Sequence, residues 1–144
     1  MDKIIVSSCI LGNNTKYNGG NNYNPLVERL KEKYIIIPIC PEVMGGLGIP
    51  RIPSERINDR VINKNGDDVT NNYLLGLDKV LKLIENEEIK YAVLKDGSPS
   101  CGSKYIYDGT FTGNKIHGMS ITAEGLSKLG IKIITEREIE ETLW

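Results

Sequence analysis

Apolar residues fall along this chain in two rhythms. Residues 4–6, 34–39, 91–95 and 131–135 form short, nearly unbroken runs rich in Ile and Val, and β-branched runs of this length predict strands buried on both faces. Between them the spacing lengthens to three and four. In "NPLVERLKEKY" Leu26, Val27 and Leu30 share one helical face, with Asn24 as N-cap and Pro25 at the first helical position. Over residues 70–87 Leu74, Leu77, Leu81 and Ile84 line one stripe and predict the longest helix. "GMSITAEGLSKLG" predicts a short helix capped by Thr122 and stopped by Gly130. Thr135 and Glu138 have the spacing of a capping box and open a helix that runs to the C-terminus.

Strands alternating with helices imply a mostly parallel sheet covered on both faces. The expected fold is therefore α/β, a three-layer α/β/α sandwich with a Rossmann-like sheet, and 144 residues fit one domain spanning 1–144. Residues 41–72 and 97–118 stand outside the alternation. The first is expected to hold a small hairpin around "INKNGDDV", with Asn65 and Gly66 in a type I′ turn. Loops this long in a compact domain are usually functional or disordered.

Composition narrows the function classes. With 18 basic against 19 acidic side chains and a net charge of -1, no electrostatic footprint for nucleic acid or an anionic membrane is visible. The N-terminal "MDKIIVSSCILG" lacks a signal-peptide pattern, and no segment approaches the roughly 18 apolar residues of a membrane span. A cytoplasmic protein is expected. There, three cysteines point away from disulfides and towards a metal or a reactive thiol.

Cys9 follows the first predicted strand, Cys40 the second and Cys101 the third. In a parallel sheet all C-terminal strand ends lie on one edge, where open α/β folds bind ligands, so the three thiols are expected to meet. A single free cysteine is commonly a small buried hydrophobe, but three in equivalent positions favour a shared ligand. Zinc needs a fourth donor, for which His117 in "NKIHGMS" is the one histidine. An iron–sulfur cubane bound by three thiolates leaves one iron open, and an open iron is a Lewis acid.

Polar groups cluster beside these thiols in the sequence. Glu42, two residues beyond Cys40, is a candidate general base. In "KDGSPSCGS", Ser98 and Ser100 offer hydroxyls, while Gly97 and Gly102 allow a tight turn. Lys16, Arg51 and Arg56 are candidates to hold an anionic group. There is no P-loop and no dinucleotide fingerprint.

Through "SSCILG", "KYNGG", "ICPEVMGGLGIPRIPSE" and "LKDGSPSCGS", nearly the whole chain resembles the DUF523 family, which includes the thiouracil desulfidases. The resemblance implies a [4Fe–4S] cluster held by Cys9, Cys40 and Cys101, with the fourth iron open to the sulfur of a thiolated pyrimidine. Water would replace that sulfur and hydrogen sulfide would leave without net electron transfer. It also implies Glu42 as the acid/base residue, Ser98 or Ser100 as the group orienting substrate or water, and a substrate site at Lys16, Tyr17, Gly46, Arg51, Arg56 and Gly97. The expected partner is a small thiolated base or nucleotide such as 4-thiouridine monophosphate. The alternative is a non-catalytic iron–sulfur or metal-binding redox sensor.

Overall fold

A computed structural model describes residues 1–144. In chain order the elements are β1 (Lys3–Ser7), a 3-10 turn (Ser8–Leu11), α1 (Val27–Lys33), β2 (Ile35–Ile39), α2 (Pro41–Met44), β3 (Ser54–Ile57) and β4 (Arg60–Asn63). They continue with α3 (Thr70–Leu83), β5 (Ile89–Leu94), β6 (Tyr105–Tyr107), β7 (Lys115–His117), α4 (Ile121–Lys128), β8 (Lys132–Thr135) and α5 (Ile139–Leu143). Four strands make one parallel sheet in the order β2-β1-β5-β8.

Alternating side chains divide between the two faces of that sheet, as the two-residue period of a strand requires. Ile4, Val6, Val93 and Ile134 pack with Val27 and Leu30 of α1 and Ile139 and Leu143 of α5. Ile5, Ile39, Ala92 and Leu94 pack with Val80 of α3 and Ala123 and Leu126 of α4. The result is the α/β/α sandwich expected from the alternation.

Several local expectations change. β2 is an edge strand, so Ile35 is 45% exposed and Pro38, whose missing N–H suits an edge, faces solvent. The stripe of α3 is rotated by about one position: Tyr73, Gly76, Val80 and Ile84 are buried, and Leu74 is 48% exposed. Tyr73 takes the inward place because it packs with Val61 and Ile121 under the β3–β4 hairpin. The cap of α4 is Ser120, whose Oγ accepts from Ala123 N at 3.2 Å; Thr122 is buried at the second helical position. Half of the C-terminal capping box forms, with Glu138 Oε1 accepting from Thr135 N at 2.9 Å. Asn24 accepts from Leu26 N at 3.0 Å in the turn that leads into α1, but the helix itself starts at Val27 with Leu26 as its N-cap residue and no side-chain cap.

The loop regions hold two short hairpins, β3–β4 and β6–β7. The first turns at Asn58 and Asp59, and the chain turns back again at Asn65 and Gly66, where Ile62 and Asp68 form the antiparallel bridge of the expected small hairpin. Gly66 has φ +86 but Asn65 does not share a positive φ, so the type I′ geometry, which needs both, is not formed there. No helix is long and apolar enough to cross a membrane.

Candidate active site

Two glycines bring the cysteine-bearing ends of the sheet close to α3. A Cβ on Gly76 would stand 2.1 Å from Pro41 O, and one on Gly45 2.0 Å from Asn72 O. Only bare backbone lets α2 lie this close to α3. That contact fixes the start of α2, with Cys40 as its N-cap residue and Glu42 in its first turn.

Cys9 sits in the 3-10 turn after β1 and Cys101 in the turn after β5, and with Cys40 they line one cavity of about 500 Å³. Cys101 is 4% exposed. Burial pushes its thiol up to about 12, opposed by a hydrogen bond with Ser7 and reinforced by the nearby Cys9 and Cys40. Burial also raises Cys9, against an Asn22 side-chain amide that donates to its Sγ at 3.4 Å. Thiols in this setting stay neutral unless a cation meets them.

No three His, Cys, Asp or Glu side chains stand at the spacing of a single metal ion. His117 lies on the exposed β7 and does not line the cavity, so it is not a fourth ligand to the cysteines. The donor set facing the cavity is three sulfurs that share one space, which fits a multi-iron cluster with one open corner better than four-coordinate zinc.

Glu42 is held rigidly. Its side chain is 7% exposed and its Oε2 accepts from Arg51 Nε at 2.5 Å. Arg51 also donates through Nη2 to Thr15 O at 2.7 Å and through Nη1 to Gly48 O at 3.3 Å. Burial and then the nearby Glu42 charge push the Tyr73 phenol well above its ordinary range, with Ser54 opposing the shift. A charge-assisted donor on one side and a neutral phenol on the other fix the carboxylate in one orientation.

The turn that carries Cys101 is built by Asp96. That residue is 1% exposed. Its Oδ1 accepts from the backbone N–H groups of Gly97 at 3.1 Å, Ser103 at 3.3 Å, Lys104 at 3.1 Å and Tyr105 at 3.2 Å. Its Oδ2 accepts from Arg137 Nη2 at 2.6 Å. Burial alone would raise this carboxyl, but Arg137 and the backbone donors outweigh burial and hold it below the usual carboxylate range. Gly97, at φ +73, starts the turn where a Cβ would strike the Tyr105 ring at 2.7 Å. Within it, Ser98 Oγ accepts from the N–H groups of Ser100 and Cys101, both at 3.2 Å, and faces Ser100 Oγ at 3.2 Å. Ser100 Oγ donates to Cys101 Sγ at 3.7 Å.

Of the residues singled out in the sequence, Cys9, Cys40, Cys101, Glu42, Ser98, Ser100, Lys16, Tyr17, Arg51 and Gly97 all line the cavity. Arg56 and Gly46 do not. Arg56 is turned away to tie β3 to α4, donating through Nη1 to Met119 O at 2.7 Å and Glu124 Oε2 at 2.9 Å. Gly46, at φ +89, ends the turn after α2 and faces solvent. Arg51 is committed to Glu42 and Lys95 to Glu136, whereas Lys16 and Lys64 line the cavity without an ion pair. Sequence reasoning missed Tyr73, Asp96 and Lys64. The Asp immediately before "GSPSCG" was a usable signal, since an Asp opening a glycine-rich turn commonly accepts from the backbone that follows.

The family model described as 2-thiouracil desulfurase matches residues 4–138. The chain is 35% identical over 150 residues to the uncharacterized protein YbbK of Bacillus subtilis (strain 168), covering 97% of this chain and 99% of that one. It is also similar to the solved structure of the [4Fe–4S]-dependent thiouracil desulfidase TudS. There the identity is 37% and the TM-score 0.93, over 99% of this chain and 96% of that chain.

Proposed function

The chain belongs to the 2-thiouracil desulfurase family, and from that premise we propose that it is a cytoplasmic [4Fe–4S]-dependent, non-redox desulfidase. In this reading residues 1–144 work as one domain that converts a thiolated uracil, or its nucleoside monophosphate, to the oxo-pyrimidine and hydrogen sulfide. The observation that carries it is the three thiols at equivalent strand ends lining one cavity with a buried carboxylate beside them. Cys9, Cys40 and Cys101 would hold the cluster. When bound, it supplies a thiophilic Lewis acid that polarises a carbon–sulfur bond.

The chain's own residues do the remaining work. Glu42 takes a proton from the attacking water and returns one to the departing sulfur, a role its fixed orientation between Arg51 and Tyr73 prepares. Ser98 and Ser100 present hydroxyls beside Cys101, and Ser98, with its oxygen already accepting two backbone N–H groups, is left with its proton to donate. Lys16 and Lys64, free of carboxylate partners, suit a phosphate at the cavity wall, with Tyr17 and Gly97 shaping the space between. That pair favours a nucleoside monophosphate over the free base.

The test is sulfide release from 4-thiouridine monophosphate and from 2-thiouracil by protein prepared without oxygen. Glu42→Gln is expected to lower turnover by about 10²–10⁴-fold, the usual contribution of a general acid–base residue, with iron content unchanged. Equal turnover by the variant would remove Glu42 from the reaction; iron without sulfide release from any thiolated pyrimidine would favour a sensor.

A further inference from the structure

The single phenylalanine of the chain, Phe111, belongs to none of the three buried clusters and instead lines the cavity. It stands near the tip of the β6–β7 hairpin with φ +58, a conformation that non-glycine residues adopt only when surrounding contacts impose it. Those contacts are specific. Glu55 Oε1, on β3, accepts from Gly109 N at 2.9 Å and from Phe111 N at 3.2 Å. Gly109, at φ +96, lies where a Cβ would meet Ile57 at 2.3 Å. Asp108 braces the tip from within, accepting from Thr110 N at 2.9 Å and Asn114 Nδ2 at 2.7 Å.

A strained backbone is thus clamped by a carboxylate to hold one apolar ring at the cavity wall, where it adds nothing to the core. Two other rings share this wall. Tyr105 and Tyr107 stand edge to face at 6.1 Å, and the Tyr105 ring already meets the cations of Lys115 at 4.7 Å and Arg137 at 5.9 Å. Phe111 has no such partner.

We propose that Phe111, positioned by Glu55, is the stacking face for the substrate's pyrimidine ring, so that the site selects a planar heterocycle rather than any thiocarbonyl compound. This rests on the preceding reading that the cavity receives a thiolated pyrimidine. Glu55 acts through Phe111 and is a positioning residue. A flat π-face against a flat ring is tolerant of substituents, which suits both a base and its nucleotide.

The experiment compares cluster-loaded wild type, Phe111→Leu and Phe111→Tyr in two ways. Calorimetric titration with uridine monophosphate, the sulfur-free product, reads ring binding without turnover. The ratio of kcat/KM for 2-thiouracil over its non-aromatic 5,6-dihydro analogue reads discrimination. Phe111→Leu is expected to weaken product binding about tenfold or more and to lower the ratio, with iron content unchanged, while Phe111→Tyr keeps both. Glu55→Ala should weaken binding in the same direction although the ring remains. If sulfide is released but Phe111→Leu changes neither binding nor ratio, the ring assignment is overturned and the desulfidase reading stands. If no sulfide is released yet product binding depends on Phe111, the ring assignment stands and the desulfidase reading falls.

Discussion

One side of the cavity is the carboxyl edge of the parallel sheet; the other is a pair of small hairpins. The two are held by different forces. The sheet edge rests on two apolar layers in which Ile4, Ile5, Val6, Ala92, Val93 and Leu94 are wholly buried. The β3–β4 and β6–β7 hairpins bury few apolar residues, Val61 and Ile106 among them, and are tied down by single side chains: Glu55 to the tip of β6–β7 and Arg56 to α4. The cysteines, Glu42 and the Asp96 turn all lie on the sheet side. On the proposed reading the difference is a division of labour, with the reacting groups on the side held by apolar layers and the ring-recognising surface on the side held by polar bonds.

That division is open to attack from both sides. Asp96→Ala would leave four partly buried backbone donors without their acceptor and is expected to cost about 3 kcal/mol, read by denaturant titration, together with most of the bound iron. Gly76→Ala drives a methyl group towards Pro41 O and should cost about 1–3 kcal/mol as overpacking, lowering turnover because α2 carries Glu42. On the hairpin side, Arg56→Ala removes the bonds to Met119 O and Glu124; about 1 kcal/mol is expected, with KM raised and iron content unchanged. Loss of iron in that variant would erase the distinction between the two sides.

The smallest effect concerns pH. The folded Asp96 carboxyl lies below its ordinary range, so its contribution is full above the unfolded value of about 4 and is lost as pH falls through the folded value. The Tm difference between wild type and Asp96→Asn should therefore be constant near neutrality and shrink below about pH 4. A difference that grows on acidification contradicts the assignment.

The same contrast governs what could be read from the sequence. The sheet side was legible because burial writes itself as periodicity: the runs at residues 34–39 and 91–95 correspond to β2 and β5 within one or two positions. Placing three cysteines after three parallel strands was enough to predict their meeting. The hairpins were not legible, since strands of three or four residues carry no period and their anchors are side-chain hydrogen bonds across 54 to 68 positions of sequence. Arg56 was misread for that reason: its fate depends on Glu124, which no local pattern connects to it. Leu74 went astray differently, because the helical stripe fits two neighbouring phases and Tyr73, not a leucine, fills the space under the hairpin.

The central claim is that Cys9, Cys40 and Cys101 together hold one four-iron cluster. Its most direct test is iron and acid-labile sulfide per folded chain after anaerobic reconstitution, in wild type and in each single Cys→Ala variant. The account predicts about four of each in wild type and loss of the cubane in all three variants. A full complement in any one variant, or no iron in wild type, would contradict it.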